Sequence, residues 1–269
     1  MAWQCLDSIG RLLTVRCMRY FNMRTLSLWF LAVGVVVGTA ETPAGSSKKK
    51  GLGGWGSGHR AKAGAVWYYN WMPQPDAGSA SAEFVPMVKG DNFEWQLGQA
   101  KKRVGPGKPL LCLNEPERKD QGNMSVERAL EVWPRLMETG ARLSSPAPSS
   151  DAQGMAWLDR FMKEADKRRL RVDFIAVHWY RSADPAAFES FLKDLHRKYR
   201  RPIWVTEFNA WKVSDREHER FLKGALRTME RLSYVERYAY FTWKPGQPGS
   251  LFNADGSLSK LGEIYRKAD

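Results

Sequence analysis

Short apolar segments alternate with amphipathic helical patterns along most of the chain. From about residue 50, apolar and β-branched runs are followed by stretches in which apolar residues recur every three or four positions. This alternation is typical of βα units that build a parallel sheet. The eight predicted strands cover residues 51–55, 65–70, 84–88, 109–114, 141–145, 172–179, 203–207 and 235–241.

Four of the intervening segments carry clear helix patterns. Asp184 and Pro185 place a capping residue before a proline at the first helical position. Ser214 and Glu217 have the spacing of a capping box. The apolar stripes of the four predicted helices cover residues 126–137, 157–165, 188–199 and 221–229.

Eight strands with helices between them predict a single α/β domain, a (β/α)8 TIM barrel over residues 50–269. An open doubly wound sheet has the same local pattern and stays an alternative. The glycines of residues 51–58 lack the Gly-Lys-Ser/Thr ending that a phosphate-binding loop needs. Residues 41–49 are polar and are predicted to be a linker.

Residues 1–40 have the layout of a secretory signal. Four arginines precede the apolar run 26–37, and small residues follow as far as Ala40. The apolar run is shorter than the roughly 20 residues that a membrane-spanning helix needs. We therefore expect a cleaved leader and a secreted or cell-envelope-associated protein, with Met23 as an alternative translation start.

The composition is that of an ordinary globular protein. The chain has 269 residues, of which 43% are hydrophobic and 26% charged, and its formal net charge is +13. These values exclude disordered and collagen-like chains. Cys112 is the one cysteine beyond the predicted leader, which excludes an internal disulfide in the mature protein. Basic clusters at predicted helix ends complement the helix dipole, and they favour a solvated surface over a nucleic-acid interface.

Two of the predicted strands lead directly into a glutamate. Glu115 follows the fourth strand in Asn-Glu-Pro, and Glu207 ends the seventh in Thr-Glu-Phe. Reactive groups of a (β/α)8 barrel lie at the carboxyl ends of its strands. Each acid alone could cap a helix or pair with an arginine, but two acids at one mouth favour a hydrolytic carboxylate pair.

Simple strand alternation predicts how both carboxylates reach that mouth. Side chains two positions apart in a strand share one side of the sheet. On this basis Leu111, Leu113 and Glu115 share one side of the fourth strand, and Ile203, Val205 and Glu207 share one side of the seventh.

The ordered set of strand-end motifs resembles a known family. The matching segments are residues 50–53, 67–71, 84–87, 113–116, 173–180, 202–208 and 238–241. Together they resemble the glycosyl hydrolase catalytic-core family, glycoside hydrolase family 128 of clan A. The resemblance implies a (β/α)8 barrel with endo-β-1,3-glucanase activity, in which Glu115 is the acid/base and Glu207 the nucleophile. Lys89, where the family has an aromatic residue, and Glu117, in place of an aspartate, depart from the pattern.

The chemistry of such a pair agrees with these roles. A retaining hydrolase needs two carboxyl groups about 5 to 5.5 Å apart, one protonated and one ionised. Charges that close disfavour each other, so we expect one carboxyl group to keep its proton near neutral pH. Once the sugar esterifies Glu207, Glu115 can act as a base toward water.

Further residues are candidates for holding the sugar. Asn114 would hydrogen-bond the 2-hydroxyl group of the reacting sugar, although a turn residue before proline is the alternative. His178 and Tyr180 end the sixth strand, where one of them could hydrogen-bond Glu207, and a core histidine is the alternative for His178. Asn70, Trp71, Trp179 and Trp243 complete the predicted substrate-binding set, the tryptophans as stacking platforms. Glu117 is predicted to be an ordinary loop acid, and Trp67, Trp133, Trp157 and Trp204 are predicted core residues.

Two other functions stay open at this point. A clan A hydrolase of another β-glycan linkage would use the same acid pair. A non-catalytic cell-wall glycan-binding barrel would use the tryptophans and the basic surface. We predict no cofactor and no metal, because the four histidines are scattered without ligand spacing. The expected partner is β-glucan or a related polysaccharide, bound by a monomer without nucleic acid or a stable membrane span.

Overall fold

Strands and helices alternate along the residues that the computed structural model describes, 47–54, 56–78, 82–241 and 244–268. The strands are β1 Lys50–Gly53, β2 Trp67–Tyr69, β3 Glu83–Phe84, β4 Met87–Val88, β5 Pro109–Cys112, β6 Arg142–Leu143, β7 Ile175–Trp179, β8 Ile203–Phe208 and β9 Val235–Phe241. The helices are α1 Ser57–Lys62, α2 Phe93–Ala100, α3 Val126–Met137, α4 Ala152–Lys167, α5 Pro185–Tyr199, α6 Asp215–Arg231 and α7 Lys260–Arg266. The predicted leader lies outside the described residues.

The described strands pair in parallel, as the α/β pattern predicts. Six of them form one sheet in the order β3-β2-β1-β9-β8-β7, and three form a second sheet in the order β4-β5-β6. The chain passes from β3 to β4 through two residues, and an isolated parallel bridge joins Ser144 to Phe174. The described strands thus form two neighbouring ladders that do not close into one.

Two apolar clusters lie on opposite faces of these strands. The inner cluster consists of Trp67, Tyr69, Val85, Met87, Leu111, Phe174, Trp204 and Ala239, which come from both sheets. The larger outer cluster packs strand residues such as Ile175 and Ile203 against helix residues such as Phe188 and Leu192. Burial on both faces explains why β7 and β8 are nearly continuous apolar runs.

The helices with clear end patterns are confirmed. The Asp184 side chain accepts a hydrogen bond from the Ala186 amide at the start of α5, and Ser214 and Glu217 form the reciprocal capping box of α6. The sequence analysis missed α1, α2 and α7. These three helices have only six to eight residues, too short to show a repeating apolar stripe. None of the described helices is both long and apolar enough to cross a membrane.

The end of the predicted linker belongs to the folded unit. The Lys49 ammonium group donates hydrogen bonds to the carbonyl oxygens of Met229 (2.9 Å), Glu230 (2.9 Å) and Leu232 (3.2 Å) at the end of α6. A cation at this end also complements the helix dipole. Lys49 therefore acts as a long-range cap that ties the segment before β1 to α6.

Replacing Lys49 with alanine is expected to destabilise the protein. The change leaves three carbonyl groups without their charged donor, and we expect a loss of about 2 kcal/mol in the free energy of unfolding. Urea denaturation followed by circular dichroism measures the difference. Lys48→Ala is the matched control, because its neighbouring side chain is exposed. Equal stability of the two variants would contradict the capping role.

Candidate active site

A cleft lies where the carboxyl ends of several parallel strands meet. Its volume is about 560 Å³. The lining residues are Asn70, Trp71, Met72, Lys89, Asp91, Gln96, Asn114, Glu115, Gln121, Tyr180, Glu207, Trp211 and Phe241. Both glutamates that the sequence analysis singled out are among them. The aromatic residues gather near Glu207, and Lys89 and Asp91 belong to the segment between β4 and α2.

Glu207 reaches the cleft through an irregularity in β8. Ile203 and Val205 belong to the outer cluster, whereas Trp204 belongs to the inner one, so regular alternation would point Glu207 outward. The register against β7 shifts after Val205, and Glu207 pairs with His178. This bulge turns Glu207 to the inner face. The prediction that Ile203, Val205 and Glu207 share one side is therefore wrong.

Glu115 is turned into the cleft by a different backbone feature. Leu111 lies in the inner cluster but Leu113 lies in the outer one. Leu113 (φ 56°) and Glu115 (φ 39°) both have left-handed backbone conformations, which non-glycine residues rarely adopt. The prediction of one shared side for Leu111, Leu113 and Glu115 is wrong for this reason. Strained backbone of this kind is common at functional sites.

Glu207 is surrounded by hydrogen-bond donors. The Trp71 indole N–H donates to Oε1 at 2.9 Å, and the Tyr69 hydroxyl lies 3.1 Å from the same oxygen. The Tyr180 hydroxyl donates to Oε2 at 2.7 Å. Burial and the negative charge of Glu207 raise the pKa of Tyr69 and Tyr180 well above the usual value, so both hydroxyl groups stay protonated donors. Hydrogen-bond donors thus approach both oxygens of the Glu207 carboxyl group.

One imidazole ring contacts both glutamates. His178 Nδ1 lies 3.0 Å from Glu115 Oε1, and Nε2 lies 3.6 Å from Glu207 Oε1. Burial lowers the pKa of His178, but the nearby charges of Glu207 and Glu115 outweigh it and raise the pKa overall. The raised pKa favours the protonated imidazole, which lies between the two acids. Of the two residues considered as partners of Glu207, Tyr180 makes the hydrogen bond and His178 bonds Glu115.

The electrostatics of Glu115 differ from the expected ones. Burial raises its pKa, but the hydrogen bond and charge of His178, together with the Arg118 guanidinium group 3.7 Å away, lower the pKa overall. The lowered pKa of Glu115 argues against a proton held on that carboxyl group in the free site.

A second ionic cluster flanks Glu115. The Arg118 side chain is held by Asp151 at 2.7 Å, and Asp151 also caps α4. Glu117 is not an ordinary loop acid, because its side chain is only 3% exposed and it accepts a hydrogen bond from the Ser149 amide at 2.8 Å. The cluster fixes the segments after β5 and β6 around Glu115.

Two asparagines line the cleft, and they differ in whether their side-chain atoms already have hydrogen-bond partners. The Asn114 side-chain oxygen is buried and has no hydrogen-bond partner among the described residues. It is available to a ligand hydroxyl group. Asn70 uses its amide within its own loop, donating to the Gln74 carbonyl oxygen (3.0 Å) and to Asp76 (2.7 Å). Asn70 therefore shapes the cleft wall rather than offering free donors.

Trp179 is the predicted binding residue that the structure places elsewhere. It is 2% exposed, packs against Phe188 and Phe191 of α5, and donates its N–H to the Ser182 carbonyl oxygen. Alternation along β7 places His178 on the inner side and Trp179 on the outer side. The prediction for Trp179 is therefore wrong. Trp243 lies outside the described residues.

Sequence reasoning also missed two residues of the site. Tyr69 lies in a segment that was matched to the family, and its spacing from Trp71 is the signal that could have placed both on one side of the chain. Arg118 gave no such signal, because its contact with Glu115 depends on the turn after β5. Trp67, Trp133 and Trp204 are buried, and Trp157 packs against the outer cluster, as predicted.

The arrangement suits acid–base and nucleophilic chemistry on a substrate bond that lies between the two carboxyl groups. In the part of the chain that the structure describes, no three His, Cys, Asp or Glu side chains are placed to hold a metal ion. The working groups are two carboxylates, a bridging imidazole and fixed hydrogen-bond donors.

Comparison with known proteins agrees with this geometry. A family model described as glycosyl hydrolase catalytic core matches residues 49–265. The chain is similar to a glycoside hydrolase family 128 subgroup I endo-β-1,3-glucanase from Amycolatopsis mediterranei, solved with laminaritriose, at 36% identity and a TM-score of 0.74, covering 83% of this chain and 100% of that one. A comparison with curated protein sequences gave no match.

Two further solved structures show the same likeness. A subgroup II endo-β-1,3-glucanase from Pseudomonas viridiflava is 32% identical, with a TM-score of 0.68 and coverage of 83% and 98%. A subgroup III curdlan-specific exo-β-1,3-glucanase from Blastomyces gilchristii, solved with glucose, is 28% identical, with a TM-score of 0.66 and coverage of 82% and 99%. From the family match and these likenesses it follows that the chain belongs to the glycosyl hydrolase catalytic-core family and is an O-glycosyl hydrolase.

Proposed function

We propose that the protein is a retaining endo-β-1,3-glucanase on a (β/α)8 barrel. The observation that carries the proposal is the pair Glu115 and Glu207, bridged by one imidazole at the floor of an open cleft. The endo-acting enzyme from Amycolatopsis mediterranei, crystallised with laminari-oligosaccharides, supports the β-1,3-glucan substrate. The passage from β3 to β4 and the bridge between Ser144 and Phe174 support a barrel interpretation of the two ladders.

In the first step, Glu207 attacks the anomeric carbon of the sugar. The bond from that carbon to the glycosidic oxygen breaks, and Glu115 delivers a proton to the departing oxygen. Glu115 draws this proton from His178 through their 3.0 Å contact. The products of the step are a glycosyl ester on Glu207, an ionised Glu115 and a neutral His178.

In the second step, water attacks the same carbon and releases Glu207 as a carboxylate. Glu115 takes the proton of that water and shares it with His178, which restores the starting charges. Tyr69, Trp71 and Tyr180 stabilise the charge that returns to Glu207. Asn114 is the proposed partner of the sugar 2-hydroxyl group, since its buried side-chain oxygen has no partner among the described residues.

Two further parts of the proposal rest on the sequence. The basic, apolar and small-residue order of residues 1–40 supports export to the cell exterior or envelope. Trp243 follows β9 by two residues in the sequence, and we propose that it stacks on substrate. The enzyme would act as a monomer. Its linkage preference is open to test, since the acid pair is common to other β-glycan hydrolases.

Neutralising either acid should abolish hydrolysis. We expect Glu115→Gln and Glu207→Gln each to reduce sugar release from laminarin by about a thousandfold or more, because general-acid and nucleophilic steps are lost. Glu131→Gln, on the exposed face of α3, is the control that keeps full activity. A panel of β-1,3-glucan, β-1,4-glucan and mannan checks the linkage. Wild-type turnover by the Glu207→Gln variant would rule out the nucleophile role.

The pH profile should respond in opposite directions to two neighbours of Glu115. The Arg118 charge lowers the pKa of Glu115, and the Asp151 charge raises it. Activity needs the proton that Glu115 and His178 share, and the pair keeps that proton to higher pH when a nearby cation is removed. Arg118→Gln should therefore move the alkaline limb of kcat/KM to higher pH. Asp151→Asn should move that limb to lower pH, while the asparagine can still cap α4. Two shifts of the same sign would disprove this assignment.

Retention of configuration can be observed directly. Double displacement yields the β-anomer first, which then mutarotates. Proton NMR of laminari-oligosaccharide hydrolysis in the first minutes should show the β-anomeric signal ahead of the α-signal. If the α-anomer appeared first, the mechanism would be a single displacement with inversion, and only the retaining part of the proposal would be wrong.

A further inference from the structure

The loop that follows β2 carries a contact to the nucleophile in a strained conformation. Trp71 has a left-handed backbone (φ 58°), and its indole N–H donates to Glu207 Oε1 at 2.9 Å. A bulky residue adopts this conformation only where its surroundings impose it. Something in the loop must therefore hold Trp71 in place.

Asn70 supplies the nearest restraint. Its side-chain oxygen accepts a hydrogen bond from the Met72 amide at 3.2 Å, and its nitrogen donates to the Gln74 carbonyl oxygen at 3.0 Å. These two bonds tie Asn70, which precedes Trp71, to the backbone that follows Trp71. The same nitrogen donates to Asp76 Oδ1 at 2.7 Å, which orients the amide.

The other oxygen of Asp76 binds a buried cation. Arg60 of α1 is 1% exposed, and its Nη1 lies 2.7 Å from Asp76 Oδ2. The guanidinium group also lies 3.7 Å above the Tyr68 ring. Its remaining nitrogens, Nε and Nη2, have no hydrogen-bond partner among the described residues. A buried charge with one acidic partner fixes that partner firmly.

We propose that Asp76, anchored by Arg60, is a positioning residue that sets the Trp71 indole on Glu207. The chain of contacts runs from Arg60 through Asp76 and Asn70 to the turn that presents Trp71. The assignment of Glu207 as nucleophile comes from the proposed function. The Asp76 side chain itself does not line the cleft.

A double-mutant cycle tests whether Asp76 acts through Trp71. Asp76→Asn keeps the shape of the side chain, but it removes the negative charge that faces Arg60 and can set an amide N–H against the Asn70 or Arg60 donor. We expect kcat to fall about tenfold with a smaller change in KM, and Trp71→Phe to have a similar effect. The double variant should fall no further than Trp71→Phe. Multiplied effects would show an independent structural role and overturn the proposal.

Further variants guard against a folding artefact. Asn70→Ala breaks the middle of the chain while leaving the Arg60 and Asp76 pair intact, and it should show the same dependence on Trp71. Asp194→Asn, which affects an exposed ion pair on α5, should leave kcat unchanged. Circular dichroism confirms the fold of each variant.

A spectroscopic readout separates this proposal from the glucanase assignment. The indole N–H cross-peak of Trp71 in a ¹⁵N-correlated NMR spectrum is identified by its loss in Trp71→Phe. We expect Asp76→Asn and Glu207→Gln both to displace this peak, whatever substrate the enzyme hydrolyses. An unmoved peak in Asp76→Asn would overturn the positioning role. Inactivity of the wild-type protein on every glycan, with the peak displaced, would instead count against the proposed function alone.

Discussion

Burial of two carboxylates within reach of one imidazole is the constraint on which this site depends. Two anions in a buried mouth repel each other and lose hydration, so each needs a compensating group. The charge of His178 stabilises both, and it is stabilised in turn because its raised pKa depends on them. Tyr69, Trp71 and Tyr180 satisfy Glu207 further.

This arrangement explains how one proton can serve two steps. The lowered pKa of Glu115 and the raised pKa of His178 favour His178 over Glu115 as the proton carrier of the free site. When the sugar neutralises Glu207, one of the two anions that favour the imidazolium form disappears. The proposed transfer toward Glu115 and the leaving oxygen therefore follows from the same electrostatics that hold the free site together.

The sequence predicts the regular parts of this molecule and not the irregular ones. The caps at Asp184 and Ser214 are local chemistry, so they locate α5 and α6 from a few residues. The directions of Glu115 and Glu207 depend on two left-handed residues and a bulge, which tertiary packing imposes. Their positions at strand ends correctly predicted that both acids lie at the cleft. Regular alternation along the strands gave the wrong reason for the direction of their side chains.

The same distinction explains the errors at Trp179 and Glu117. Both were judged by their position at the end of a strand or in a loop, whereas their partners come from distant segments. Trp179 packs on α5, and Glu117 binds the amide of Ser149. Long-range partners of this kind leave no periodic trace in a sequence. Arg118 and Asp76 were missed for the same reason.

The preference for one linkage depends on the walls of the cleft and not on the acid pair. In the proposed mechanism the pair and its bridging histidine break a glycosidic bond, and this chemistry is the same for different linkages. Around Glu207 the wall is aromatic, with Trp71, Trp211 and Phe241, and these faces suit the apolar faces of sugar rings. Another part of the wall is charged, because Lys89 Nζ and Asp91 Oδ2 form an ion pair at 3.4 Å. Because Lys89, Asp91 and Trp211 lie on loops beyond the strands, the preference for linkage and chain length can change while the acid pair and its supports stay fixed.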